Sequence, residues 1–436
     1  MTATAYFRYG RHLAGFGARV GVGWLAAAAR GERRRFDSWQ YVPDLLENLG
    51  PAFVKMGQLA STRRDLLGDR ARIALGRLRE DCRPLPTAHV ADSIAGVGLG
   101  RPREPVRPLG FGSIAGVYLA GFPDRSLAVK VRRPEVAERL RFDADNARRL
   151  ARAMAWLPPV RNLPLREMVD FLASAAQMQV DLDREGRNLA ELRRTLSHLQ
   201  VRLPEPLAAH SDDGRLVMEY LPAFEGADRP VRDGTASATR LLEAVFTMIF
   251  RSGFVHLDMH AGNFALDDDG TLNIVDAGFA VQLSDQTRRQ FSEFFIGLSF
   301  GNGRRSAESV LRSAVRLPES LDREAFIAEI SELIHAHRRL PARDFRVGAF
   351  TAELFAIQRR HGVFISSEFA APVLALLTIE EQVRDWAPDL DFQVVAQAII
   401  LASIALVPCG PRGDGLRSLP QERSRLKEGR GPILKA

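Results

Sequence analysis

The chain has 436 residues, 46% hydrophobic and 26% charged, an ordinary globular composition long enough for two domains of usual size. That excludes wholesale disorder, a collagen repeat and a coiled coil. Cys82 and Cys409 build neither a disulfide framework nor a cysteine zinc site. The net charge of +7 gathers at the ends, with +5 on residues 1–40 and +4 on residues 411–436, which leaves −2 between them. This argues against a nucleic-acid groove over the body and points to an anionic membrane or partner surface met through the termini.

Lysine is scarce. Of 60 basic residues only Lys55, Lys130, Lys427 and Lys435 are Lys, so the two inside the body mark places that need a compact ammonium rather than a guanidinium fork. Two isolated cysteines make a reducing, cytoplasmic setting the expectation, and the start shows no charged segment followed by an apolar run and a small-residue cleavage site.

In chain order, Tyr9, Leu13, Phe16, Val20 and Trp24 form one helical stripe across residues 6–30, suited to a lipid interface or to packing on the body. A helical pattern from about 40 to 90 ends near Pro84 and Pro86. Strands follow at Gly116–Ala120 and Ser126–Arg132, then helices over 134–156 and 165–198 and a strand at Leu216–Tyr220. The turn-rich stretch holding Pro222, Gly226, Pro230 and Gly234 marks a boundary between lobes. Beyond it the chain is mostly helical, with short strands at Phe264–Leu266 and Asn273–Val275. The apolar run Val394–Val407 stops at Pro408 and suits a buried core helix better than a membrane span.

Four segments carry chemistry when taken together. Leu109-Gly-Phe-Gly-Ser113 is a glycine turn entering a strand, where Gly110 and Gly112 let backbone N–H groups approach a phosphate. On the next strand Ala128, Lys130 and Arg132 share a face, and kinase-like enzymes use such a lysine to hold the α/β-phosphates. The helix around Gln179–Asn188 offers Glu185 to pair with that lysine, with Asp181 one turn earlier on the same face. Finally, His256-Leu-Asp-Met-His-Ala-Gly-Asn263 gives H-x-D-x-H-x-G-N, and Asp276-Ala-Gly278 follows after an apolar strand. In kinase order, Asp258 meets the acceptor while Asn263 and Asp276 carry Mg2+. A zinc pair from His256 and His260 would need a helix, which Gly262 and the flanking strands oppose. His256 is expected to brace the loop and His260 to lie near the phosphates.

With these segments in order, residues 40–400 resemble the UbiB/ABC1 (AarF, ADCK) family of atypical kinases. The most distinctive match is Leu49-Gly-Pro-Ala-Phe-Val-Lys-Met-Gly-Gln58, which looks like the family's K-x-G-Q signature and gives Lys55 and Gln58 a reading beside the catalytic residues. Gln179–Asn188 and Ile379–Asp391 also look like family segments. The resemblance implies an α+β, two-lobed protein-kinase-like fold with an N-terminal helical extension and a mostly helical C-lobe. The expected division is residues 1–90 for the extension, 91–225 for the N-lobe, 226–410 for the C-lobe and 411–436 for a disordered basic tail.

ATP and Mg2+ are the implied cofactors, with Gly110, Phe111, Gly112, Ser113, Val117 and Ala128 around the nucleotide and Lys130, Glu219 and His260 completing its contacts. The family implies support of isoprenoid-quinone or other lipid metabolism at a membrane surface, with a small-molecule or lipid-like acceptor. Three features depart from the family pattern. The loop carries Gly110-Phe-Gly-Ser113 where alanines are usual, Gln179 stands for the first acid of E-x-D, and D-F-G reads Asp276-Ala-Gly278. No A-P-E segment follows Gly278, so a platform for extended peptides is not expected. Two alternatives stand beside this reading: a metabolite or antibiotic kinase, and a non-enzymatic nucleotide-binding scaffold of a lipid-biosynthetic complex.

Overall fold

The computed structural model describes residues 3–31, 36–50, 53–54, 56–57, 60, 69–78, 84–154, 165–225 and 231–405. Lys55, Gln58 and the basic tail lie outside the described residues. The N-terminal stretch is helical as expected: α1 (Ala3–Ala29), α2 (Val42–Leu49) and α3 (Asp69–Leu75). The stripe on α1 packs on the body at its start, where Tyr9 is buried and its hydroxyl donates to Asp143. Farther along, Val22, Trp24 and Leu25 are exposed. The glycine of the K-x-G-Q segment, Gly57, has no room for a side chain, since a Cβ there would lie 2.4 Å from Leu78 Cδ1 and 2.7 Å from Leu46 Cδ1.

Pro86 does not end a helix. It is the N-cap of α4 (Thr87–Ala95), consistent with the preference of proline for helix starts. The sheet then forms from β1 (Arg107–Phe111), β2 (Ala115–Gly121), β3 (Ser126–Arg132) and, later in the chain, β5 (Arg215–Glu219), in the antiparallel order β1-β2-β3-β5. The alternation expected for β3 holds. Leu127, Val129 and Val131 pack with Val90 and Ile94 of α4 behind the sheet, and Ala128 joins the core of the other side.

Two helices follow, α5 (Val136–Met154) and α6 (Leu165–Met178), and then α7 (Leu182–Leu196). The predicted continuous helix over 165–198 is thus broken. Asp181 has extended backbone, and its carboxylate accepts the Arg184 N–H at 2.9 Å as the N-cap of α7. It stands one helical turn before Glu185, whose N–H donates to the Asp181 carbonyl at 3.1 Å, but its carboxylate is spent on the cap. Helices α5 and α6 share an apolar cluster with Phe53, Met56 and Ala60 of the K-x-G-Q segment, and Ile114 of the glycine turn packs against it.

The second lobe is mostly helical. Strand β4 (Val201–Arg202) pairs in parallel with β8 (Leu272–Ile274), which pairs with β7 (Phe264–Leu266). Helix α8 (Gly234–Phe246) runs into a π-helical turn, Thr247–Ser252, whose first four residues are buried and which Gly253 ends with φ of 72° before β6 (Phe254–His256). Strand β9 (Ala280–Gln282) pairs with β6, and α9 (Asp285–Phe300) begins directly after it. From Gly278 the chain thus passes through β9 into α9 with no extended loop. The lobe's core is aromatic, with Phe291 stacked on Phe250 at 6.0 Å and edge-on to Phe369 at 5.3 Å. The run from Val394 lies in α10 (Phe392–Ala405), whose Ala396 and Ile400 are buried and whose Val394 and Leu401 are exposed. Among the described residues no helix is long and apolar enough to cross a membrane.

Candidate active site

The site is built around Lys130, which β3 presents from the sheet face turned to the second lobe. Strand register sets it opposite Val117 of β2 and Leu216 of β5. Its Nζ lies 2.7 and 2.8 Å from the two carboxylate oxygens of Glu185 and 2.9 Å from Asp276 Oδ2. Three chain segments, one of them in the other lobe, thus meet at one ammonium.

Glu185 sits in the first turn of α7 with its side chain 1% exposed, whereas Asp276 is 40% exposed. With both acids ionised the trio carries a formal charge of −1. Burial, reinforced by the charge of Asp276, pushes the Glu185 carboxyl up to about 7 against the attraction of Lys130. Burial also works against the charged form of Asp276, but Lys130 outweighs it and holds this carboxyl well below the usual range. Lys130 loses hydration in turn, yet its two acids keep its pKa above that of a free lysine.

Local backbone geometry aims Asp276 into the cleft. Its φ is 60°, a left-handed conformation that Asp and Asn tolerate better than other side chains, and its Oδ1 accepts the Gly278 N–H at 2.9 Å. Where protein kinases carry phenylalanine, Ala277 is completely buried. Its carbonyl accepts from Asn188 Nδ2 at 2.8 Å and its N–H bonds the Glu185 carboxylate. Asn188 and Glu185, three apart on one helix face, therefore hold Ala277 through the two peptide groups that flank it.

The H-x-D-x-H-x-G-N loop is fixed by its own side chains. His256 is fully buried, which lowers its pKa and keeps it neutral; it bonds the Asp276 carbonyl through Nε2 and accepts the Asp258 N–H through Nδ1 at 3.1 Å. Both ring nitrogens are thus engaged by backbone. Asn263 donates to the Asp258 carbonyl at 2.8 Å, leaving its amide oxygen for another partner, and His260 Nδ1 accepts the Gly262 N–H at 3.1 Å.

These elements enclose one cavity of about 880 Å³ between the lobes, within the size range of ligand sites. Lys130, Glu185, Asp258, His260, Asn263 and Asp276 line it. Gly110, Phe111, Gly112 and Ser113 border it from the turn joining β1 and β2, and Arg133 Nε holds that turn by donating to the Gly112 carbonyl at 2.9 Å. Val117 and Ala128 line the apolar part with Met218 and Leu221. Glu219 borders the cavity too, but its carboxylate turns to Arg202 at 2.5 Å and Arg193 at 3.9 Å.

The donor set fits a hard divalent cation, because the Asn263 amide oxygen and the Asp276 carboxylate are oxygen ligands of the kind Mg2+ takes. The apolar slot leading to a cationic end fits a nucleotide. Sequence reasoning missed Arg133, Asn188 and Gln179 as members of this site. The i, i+3 spacing of Asn188 from Glu185 was the available signal for Asn188. For Gln179 it was the place of the first E-x-D acid, but the break before α7 that turns it inward was not foreseen.

Residues 104–310 match a family model described as the ABC1 atypical kinase-like domain. A Marinobacter nauticus protein named probable protein kinase UbiB is 29% identical over 390 residues, covering 85% of this chain and 70% of the relative. A Xanthomonas campestris pv. campestris protein with the same name is 28% identical over 432 residues, covering 93% and 74%. Among solved structures, the complex of Rv3197 with erythromycin from Mycobacterium tuberculosis superposes with a TM-score of 0.51 at 18% identity. It covers 88% of this chain and 98% of that one, a likeness of fold.

Proposed function

With its ABC1 atypical kinase-like domain this chain belongs to the UbiB/ABC1 family, and we propose that it is an ATP- and Mg2+-dependent phosphotransferase or ATPase working in the cleft around Lys130. The meeting of Lys130, Glu185 and Asp276 from three distant segments, beside an apolar slot, is the observation that carries this reading.

In it, Val117, Ala128, Met218 and Leu221 receive the base, and Lys130, oriented by Glu185, holds the α/β-phosphates. The backbone of Gly110–Ser113 covers the phosphates, and His260 lies beside them. Asn263 and Asp276 hold Mg2+, which neutralises phosphate oxygens when bound. Asp258 orients the attacking hydroxyl or water and takes its proton. Lys55 and Gln58 act through the K-x-G-Q segment, as the family resemblance implies. Transfer to a small or lipid-like acceptor is favoured over a peptide by the direct passage from Gly278 into α9. A role at an anionic membrane in isoprenoid-quinone or related lipid metabolism is favoured by the exposed Val22, Trp24 and Leu25 on α1.

The test measures ADP release from Mg-ATP by the wild type and by Asp276→Asn, with and without anionic liposomes and prenylated phenols. The wild type is expected to release ADP, faster with membranes. Asn accepts the positive φ of residue 276, so that variant should stay folded and fall to background. Near-normal turnover by Asp276→Asn would refute the metal assignment. Thermal stabilisation of the wild type by Mg-ATP with no ADP release under any condition would favour the scaffold reading, for which the uncommon Gln179 and Ala277 speak.

A further inference from the structure

Gln179 lies in the turn between α6 and α7, is 9% exposed and lines the cleft, yet its Nε2 has no hydrogen-bond partner among the described residues. A buried amide without a partner destabilises a fold, so its presence calls for a ligand.

The position of Gln179 says which part of a ligand. Along the cleft side of β3 run Ala128, Lys130 and Arg132. Ala128 pairs with Met218 at the apolar end. Arg132 pairs with Ala115 at the other end, and its guanidinium donates to the Val180 carbonyl at 3.2 Å. The adjacent Arg133 holds the Gly112 carbonyl. Gln179, next to Val180, and the glycine turn therefore both stand beyond Lys130, away from the apolar slot. A nucleotide with its base in that slot and its inner phosphates at Lys130 has only its last phosphoryl group to extend there.

We propose that the Gln179 amide is a hydrogen-bond donor to the terminal phosphoryl oxygens of a nucleoside triphosphate, making the cleft prefer tri- over diphosphate. The inference rests on the nucleotide reading above. An amide suits the place better than an acid, because Asp258 and Asp276 already face this end and a further carboxylate would repel the phosphoryl group.

Calorimetric titration of wild type, Gln179→Met and Gln179→Glu with Mg2+ and either a non-hydrolysable ATP analogue or ADP tests it. A hydrogen bond to an ionised group lost from Gln179→Met should weaken the triphosphate roughly 10- to 100-fold and leave ADP within about twofold. Gln179→Glu should weaken the triphosphate further. The unliganded Met variant should melt no lower than wild type, since it replaces an unpartnered amide with apolar volume. Equal effects on both nucleotides, or none on either, would overturn the proposal, as would a large loss of melting temperature in the Met variant, which would make Gln179 a structural residue. A wild type that binds neither nucleotide would instead bring down the nucleotide reading, and this inference with it.

Discussion

Replacing Glu185 by Gln separates what the buried trio does for stability from what it does for activity. Breaking a buried ion pair ordinarily costs about 3–5 kcal/mol because an uncompensated charge is left behind. Here it leaves none, since Lys130 keeps Asp276 at 2.9 Å and the trio passes from a formal charge of −1 to a neutral pair. A carboxyl whose folded pKa is raised stabilises the fold fully below its unfolded value, 4.5 for Glu185, and that contribution is lost as pH rises through about 7. At about 1.4 kcal/mol per tenfold change in proton affinity, the loss in the wild type is roughly 3 kcal/mol. The variant lacks the ionisation and so escapes this loss. Its stability relative to wild type should climb by up to roughly 3 kcal/mol between pH 4.5 and pH 8, read from urea midpoints at a series of pH values. ATP turnover should nonetheless fall on the order of 100-fold, because Lys130 would then lean on Asp276 alone. A variant destabilised by several kcal/mol at pH 8, or one whose offset from wild type does not change with pH, would refute the account of an over-charged trio.

Two further substitutions test the packing that positions the site. Ala277→Phe puts a ring where the side chain is completely buried and the peptide is held by Asn188, so it should cost about 1–3 kcal/mol or more in denaturant titration; unchanged stability would show that space exists beside Ala277. Gly57→Ala drives a methyl group against Leu78 and Leu46, and should lower the melting temperature and speed proteolysis within residues 1–90; a variant as resistant as wild type would show that the two leucines yield freely.

The polar centre was legible in the sequence because each member sits in a short segment whose spacing is fixed by chemistry. Asp258 and Asn263 share one loop, Asp276 ends the strand pair after it, and Lys130 keeps strand alternation through Leu127–Val131. The break between α6 and α7 was hidden by helical periodicity running on through Gln179 and Val180, although Asp181 with acids at Asp183 and Glu185 is a readable helix start. Strand β1 escaped because it is an exposed edge strand holding Pro108 and Gly110, with no buried face to impose alternation. Strands β6 and β9 were not foreseen, and it is pairing with each other that makes them strands.

The glycine turn is fastened at its tip rather than left as a free flap. Ile114 is tucked among the apolar side chains of the helical extension while Arg133 ties down the carbonyl of Gly112. Lifting that roof to admit or release a ligand must wet part of this packing, so the exchange step acquires a positive activation heat capacity. Its activation enthalpy then grows with temperature, and the residence time of whatever occupies the cleft shortens more steeply on warming than simple desorption would allow.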